Sequence, residues 1–261
     1  MALLGFSTGS VARADFRAAV ATLRGSATSA IELSALRADE LGPLLEAYAE
    51  LDLSPYRYVS VHAPSAFALS DEPAIARALL PLAHRGIPIV VHPDTIHQHA
   101  LWRPFGRLLL VENMDPRKPA GRTAAELAGV FAHLPEASLC FDIAHARRYD
   151  TSMLEAYRIL SCFGGRLAQV HISELDSDCR HRRISPAAIR AYREVSALIP
   201  RHVPVIIESD VAAGQVDAEL AAARDALGWN RPRRARLDRP GIARRGGASI
   251  GTLGRARRNC A

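Results

Sequence analysis

Eight short apolar runs recur along the chain, at an interval that leaves room for one helix between neighbours. They are Leu3–Phe6, Ala30–Leu33, Tyr58–His62, Ile87–His92, Leu108–Glu112, Ser138–Asp142, Leu167–His171 and Val203–Glu208. With strand ends placed at Phe6, Glu32, His62, His92, Glu112, Asp142, His171 and Glu208, the intervals are 26, 30, 30, 20, 30, 29 and 37 residues. A spacing of about 30 residues is that of one strand followed by one helix. Most runs are near-continuous in apolar residues, as parallel strands covered on both faces require. Eight such units in series predict an α/β fold with a single closed (β/α)8 barrel, not an open doubly wound sheet. The 261 residues suit that fold, which typically takes about 250.

Helical periodicity fills the gaps between the runs. Phe16, Val20 and Leu23 mark one helix, Leu41, Leu44, Leu45 and Tyr48 a second, and Ile75, Leu79, Leu80 and Leu82 a third. The 20-residue interval after His92 leaves space only for a short helix around Ile96–Phe105. Leu127, Val130, Phe131 and Leu134 predict another, as do Ile189, Tyr192, Val195 and Leu198, with the last over Asp217–Leu227. Thr123 with Glu126, and Ser152 with Glu155, have the spacing of capping boxes. Ser185 followed by Pro186 reads as an N-cap with proline at the first helical position.

Charge divides the chain unevenly. Ten of the 33 basic residues and one of the 27 acidic residues lie in 230–261, leaving 23 against 26 in 1–229, a net of −3. The sequence therefore predicts a mildly acidic barrel over 1–229 and an Arg/Gly/Pro-rich disordered tail over 230–261. Such a tail can contact nucleic-acid phosphates. The plainer reading, an incidental C-terminal extension, is preferred. Lys118 is the only lysine, so Schiff-base chemistry has one candidate, placed in a loop. No apolar run approaches the ~18 residues of a membrane span, and the first 20 residues lack the pattern of a signal peptide. The four cysteines have no paired spacing and read as reduced thiols of a cytoplasmic protein.

Ionisable residues end six consecutive runs: His62, His92, Glu112, Asp142, His171 and Glu208. In a parallel barrel these ends open on one face, where barrel enzymes keep their active sites. Two Glu and one Asp buried together are prohibitively costly without a compensating charge. A divalent cation supplies it, and the mixed His/carboxylate set suits Zn²⁺, Mn²⁺ or Fe²⁺ better than Ca²⁺. Each residue alone reads more readily as a structural group or a cap; the shared register is what points to function. Glu32 also ends a run, and is read as a structural partner. After Glu112, the loop Met114–Arg122 places Arg117, Lys118 and Arg122 beside a helix start, where cations can hold a phosphate or carboxylate.

The words around these residues are VHAPS (His62), VHPD (His92), ENMD (Glu112), FDIAHA (Asp142, His145), VHIS (His171), CRH (His181) and IIESD (Glu208). From about Leu3 to Asp210 their order and spacing resemble the xylose isomerase-like TIM-barrel superfamily, which includes sugar isomerases, sugar epimerases and endonuclease IV. The resemblance to the epimerases implies one metal held by Glu112, Asp142, His171 and Glu208. The resemblance to endonuclease IV implies a second metal at His62 and His92 bridged by Glu112, and a third at His145 and His181. It thus implies one to three divalent ions (Mn, Zn, Fe, Co or Mg). Two departures bear on the endonuclease. An Asp belongs two residues before His181, where Cys179 stands, with Asp178 one step off. Ser65 follows VHAP, where the endonuclease has an aromatic residue. Arg/aromatic recognition loops are also lacking, and the −3 charge of 1–229 is unlike the basic surface that phosphate-backbone binding uses.

The expected function is a divalent-metal-dependent isomerase or epimerase of a small sugar, polyol or sugar phosphate, acting by proton transfer through an enediolate. The resemblance to the epimerases implies Glu112 and Glu208 as its acid/base pair. The alternative is an endonuclease IV-like multinuclear phosphodiesterase acting on nucleic acid or another phosphodiester. A third reading is a non-catalytic metal-binding barrel. No membrane partner is expected, and the sequence does not specify an oligomeric state.

Overall fold

The computed structural model describes residues 2–230. The expected tail therefore falls outside the described residues, Asn230 excepted. Eight parallel strands close into a barrel: β1 (Leu4–Ser7), β2 (Ala30–Ser34), β3 (Tyr58–His62), β4 (Ile89–Val91), β5 (Leu109–Glu112), β6 (Ser138–Asp142), β7 (Leu167–Ile172) and β10 (Val205–Ile207). Two short strands, β8 (Glu174–Leu175) and β9 (His181–Arg182), form an antiparallel hairpin beyond the end of β7. The expected single (β/α)8 barrel is the fold observed.

The helices are α1 (Thr8–Ala12), α2 (Phe16–Leu23), α3 (Leu41–Glu50), α4 (Glu72–His84), α5 (His99–Trp102), α6 (Ala124–His133), α7 (Ile143–Tyr149), α8 (Leu154–Phe163), α9 (Pro186–Tyr192) and α10 (Val216–Ala226). Four begin on side-chain caps, α7 on Asp142 and three others. Asp15 accepts from Ala18 N at 2.9 Å, Thr123 from Glu126 N at 3.2 Å and Ser185 from Ala188 N at 3.2 Å. The short helix expected after His92 is the single turn α5, continued as a 3-10 stretch, Arg103–Leu108. The helix expected through Leu198 ends earlier, at Tyr192, and its last turn is a separate 3-10 segment over Ser196–Leu198.

Alternation along the strands sorts side chains into two environments. Phe6, Ile31, Leu33, Val61, Val91, Val111, Phe141, Ile172 and Ile207 join the main core with residues from the helices. Val90, Leu110 and Cys140 form a separate small cluster. They stand two residues before His92, Glu112 and Asp142, so they share the inner face of the barrel with them. The inner face is also tightly spaced. A Cβ on Gly5 would lie 1.6 Å from the Ala30 carbonyl oxygen, so only glycine fits where β1 meets β2.

Cys140 and Cys179 are buried free thiols, as expected of reduced cysteines. Among the described residues no helix is long and apolar enough to cross a membrane.

Candidate metal centre

The C-terminal ends of the strands surround a cavity of about 900 Å³. His62, His92, Glu112, His145, His181 and Glu208 line it. Glu112 is the central group. It is buried at the end of β5, and imidazoles approach both its oxygens. His62 Nε2 lies 3.1 Å and His92 Nε2 3.4 Å from Oε2. His145 Nδ1 and His171 Nδ1 each lie 3.3 Å from Oε1. His171 Nδ1 is also 3.5 Å from Glu208 Oε1.

Local bonding orients each ligand atom. His62 Nδ1 lies 2.6 Å from the Ala63 carbonyl, so it carries the proton and turns Nε2 towards Glu112. Asp142 divides its two oxygens. Oδ1 caps α7 by accepting from His145 N at 2.7 Å, while Oδ2 is buried without a hydrogen-bond partner. The Asn113 side chain brackets the Asp142 backbone. Its Nδ2 donates to Asp142 O and its Oδ1 accepts from Asp142 N, both at 2.8 Å.

Two groups of donor atoms come within 4.8 Å of one another: His62, His92 and Glu112, and Glu112, Asp142, His171 and Glu208. Glu112 belongs to both. These residues fit a divalent cation. The second group has three carboxylates around one imidazole, and Asp142 Oδ2, without a hydrogen bond and only 3.6 Å from His145 Nδ1, is the polar atom a cation would satisfy. Electrostatics in the metal-free protein show the same need. Burial pushes Glu208 up to about 8 despite the neighbouring His171, and burial likewise raises Asp142. Burial opposes charge on Glu112, but His171, His145 and His62 together hold it well below the usual carboxylate range. Burial also opposes a proton on His62 and His145. The Glu112 carboxylate lifts His62 to about 8, and Asp142 with Glu112 lifts His145 to about 10.

His145 and His181 face each other with ring centroids 5.9 Å apart. His145 Nδ1 is engaged by Asn113 O at 2.9 Å, and its Nε2 is 3.9 Å from Asp115 Oδ2. His181 Nδ1 is 2.8 Å from Ser173 Oγ. Among the described residues they do not form a third group of three or more donors, and Cys179, in the hairpin turn at φ 53°, does not complete one.

The loop cations are placed differently from one another. Arg117 grips the buried Asp115 carboxylate through Nε at 3.0 Å and Nη2 at 2.8 Å, and lines the cavity. Lys118 also lines it, with Nζ 2.9 Å from Asp94 Oδ2 and 3.2 Å from Ser65 O. Arg122 forks onto Glu126 instead, away from the cavity wall. Gly121, at φ 81°, closes this loop by accepting from Met114 N at 2.9 Å. Arg13 and Arg180 also reach the cavity, and among the described residues neither forms an ion pair.

Asn113, Asp115, Ser60 and Gln169 were not singled out in the sequence, whereas Glu32 was read as a structural partner and stands with Ser60 and Gln169 in a buried polar layer. The available signal was the two-residue strand period, which puts Ser60 on the face of His62 and Gln169 on the face of His171.

No protein-family model and no curated protein matches the sequence. Solved structures do resemble it. A xylose isomerase domain protein from Alicyclobacillus acidocaldarius superposes with a TM-score of 0.57 at 13% identity, covering 87% of this chain and 98% of that one. A xylose isomerase-like TIM barrel protein from Mycobacterium smegmatis, in complex with magnesium, gives 0.53 at 12% identity, covering 87% and 97%. A candidate sugar phosphate isomerase/epimerase from Anabaena variabilis gives 0.52 at 13% identity, covering 93% of each chain. The fold is that of the xylose isomerase-like TIM barrels, as the sequence motifs imply.

Proposed function

We propose that this protein is a divalent-metal-dependent isomerase or epimerase acting on a small sugar, polyol or sugar phosphate. The observation that carries the reading is the convergence of Glu112 and Glu208, which line the cavity from separate strands, with the buried Asp142 and His171. Glu112, Asp142, His171 and Glu208 would hold the ion. When bound, it supplies positive charge that polarises a carbonyl and favours the enediolate. Glu112 and Glu208 act as the base and acid that take a proton from one carbon and return one to the reacting skeleton. Arg117 and Lys118 at the cavity wall, with Arg13 and Arg180, suit an anionic group on the substrate. Arg122 can join them only by leaving Glu126.

A second reading has its own support. His62, His92 and Glu112 form a further donor group that shares Glu112 with the first, the arrangement a two-metal phosphodiesterase uses to neutralise attacking and leaving oxygens. A one-metal enolisation does not need that group. The two readings are separated by solvent deuterium exchange into a panel of ketoses and ketose phosphates, run beside cleavage of an activated phosphodiester and an abasic-site duplex. The first reading expects Glu112→Gln and Glu208→Gln each to abolish exchange, with His62→Ala and His92→Ala costing much less. Cleavage that depends on His62 and His92, without exchange into any sugar, would replace it with the second.

A further inference from the structure

Directly beneath the candidate metal centre lies a carboxylate that the proposed reaction does not use. Glu32, on β2, is fully buried inside the barrel. Its Oε2 accepts from Ser60 Oγ at 2.9 Å and from Gln169 Nε2 at 2.6 Å, and Gln169 is itself held by the Tyr58 hydroxyl, which donates to Oε1 at 2.7 Å. Oε2 also meets the hydrogen-bond geometry with His171 Nε2 at 3.3 Å, while Oε1, 3.2 Å from the same nitrogen, is buried without a hydrogen bond. An isolated buried carboxylate costs several kcal/mol, and His171 is the group able to offset it.

Two groups compete for His171 Nε2. The Gln169 amide nitrogen, a donor, is 2.7 Å away; the Glu32 carboxylate, an acceptor, is 3.2 Å away. If Nε2 accepts from Gln169, the ring proton sits on Nδ1, which faces Glu112 and Glu208 and then has no lone pair for a cation. If Nε2 carries the proton and donates it to Glu32, the Nδ1 lone pair points into the centre. The Gln169 amide has other acceptors for its two hydrogens, Glu32 Oε2 and Cys140 Sγ at 3.7 Å. A carboxylate behind a ligating imidazole fixes its tautomer and raises its basicity.

We propose that Glu32 is a positioning residue, which accepts the His171 Nε2 proton and thereby directs the Nδ1 lone pair at a cation held with Glu112, Asp142 and Glu208. The inference rests on the metal site proposed above. Its test is Mn²⁺ affinity by calorimetry and the visible spectrum of the Co²⁺ form, for wild type, Glu32→Gln, Glu32→Leu and Gln169→Leu. Loss of such a partner typically weakens metal binding about 10- to 100-fold. Glu32→Leu is expected at the upper end, with an altered Co²⁺ spectrum. Glu32→Gln, nearly isosteric and still able to accept, is expected at the lower end, which keeps the test informative if the Leu variant fails to fold. Gln169→Leu, which removes the competing donor together with its bonds to Glu32 Oε2 and Tyr58, leaves Glu32 to accept from His171 and is expected to bind Mn²⁺ as tightly as wild type or more so. Glu32 variants that bind with wild-type affinity and an unchanged Co²⁺ spectrum would overturn the inference while leaving the metal site standing. A wild type that takes up no metal would overturn both.

Discussion

At the scale of single residues, the candidate centre is built by giving each polar atom one task. Asp142 uses one oxygen to start α7 and leaves the other buried and without a hydrogen bond, and His62 uses one nitrogen on Ala63 O and turns the other inward. The sequence revealed the ligand candidates because each ends an apolar run. It did not reveal that Arg117 is gripped by Asp115, or that Arg122 faces Glu126, because loop side chains follow no period. A pH dependence follows from the cluster. Burial raises Glu208 to about 8, and although burial opposes it, Cys140, Glu208 and the neighbouring carboxylates hold His171 well above the usual imidazole range, so both carry protons at pH 7. Ligation requires those protons to leave. Mn²⁺ affinity should therefore rise with pH up to about 8 and fall below it. Calorimetry at pH 7 in Tris and in MOPS should give different heats, reporting proton release. Equal heats and a pH-independent affinity would show that these groups are not displaced by the ion.

At the scale of elements, strand ends were legible to within one or two residues. His62, Glu112 and Asp142 end their strands as expected, whereas His92 and Glu208 stand one residue beyond β4 and β10. Both still line the cavity, His92 on extended backbone (φ −75°, ψ 131°) and Glu208 with its N donating to Ile172 O at 3.0 Å. Helix caps were less legible, because one spacing serves several bonding patterns. Thr123 caps α6 as expected, but Glu126 accepts from Arg122 N at 2.7 Å rather than closing a box. Ser152 and Glu155 form no box either. Asp150 takes that role, its Oδ2 accepting from Glu155 N at 2.9 Å and its Oδ1 binding Ser152, while Glu155 reaches across to Ala124 N. Asp150→Ala should then cost about 1 kcal/mol, as loss of a cap does, and lower the melting temperature by about 2–4 °C. Ser152→Ala should cost less. The reverse order in thermal unfolding would restore Ser152 as the cap.

At the scale of the whole molecule, the barrel brings together residues from six strands that lie up to 146 positions apart, from His62 to Glu208. The sequence conveyed this because the repeat length fixes the barrel, and the barrel puts every strand end on one face. It conveyed the interior polar layer only in part: the strand period puts Ser60 and Gln169 on the inward face, but nothing in it pairs Gln169 with Glu32, on strands either side of β1 and β10. The account depends on that shared face carrying an ion. Elemental analysis of the protein purified without added metal tests this most directly. The expected result is about one or more equivalents of a divalent metal per chain, lost in Asp142→Asn, which keeps a side chain able to cap α7 but removes the charge. Wild-type protein that is folded, carries no divalent metal and takes none up on dialysis against Mn²⁺ or Zn²⁺ would contradict the account.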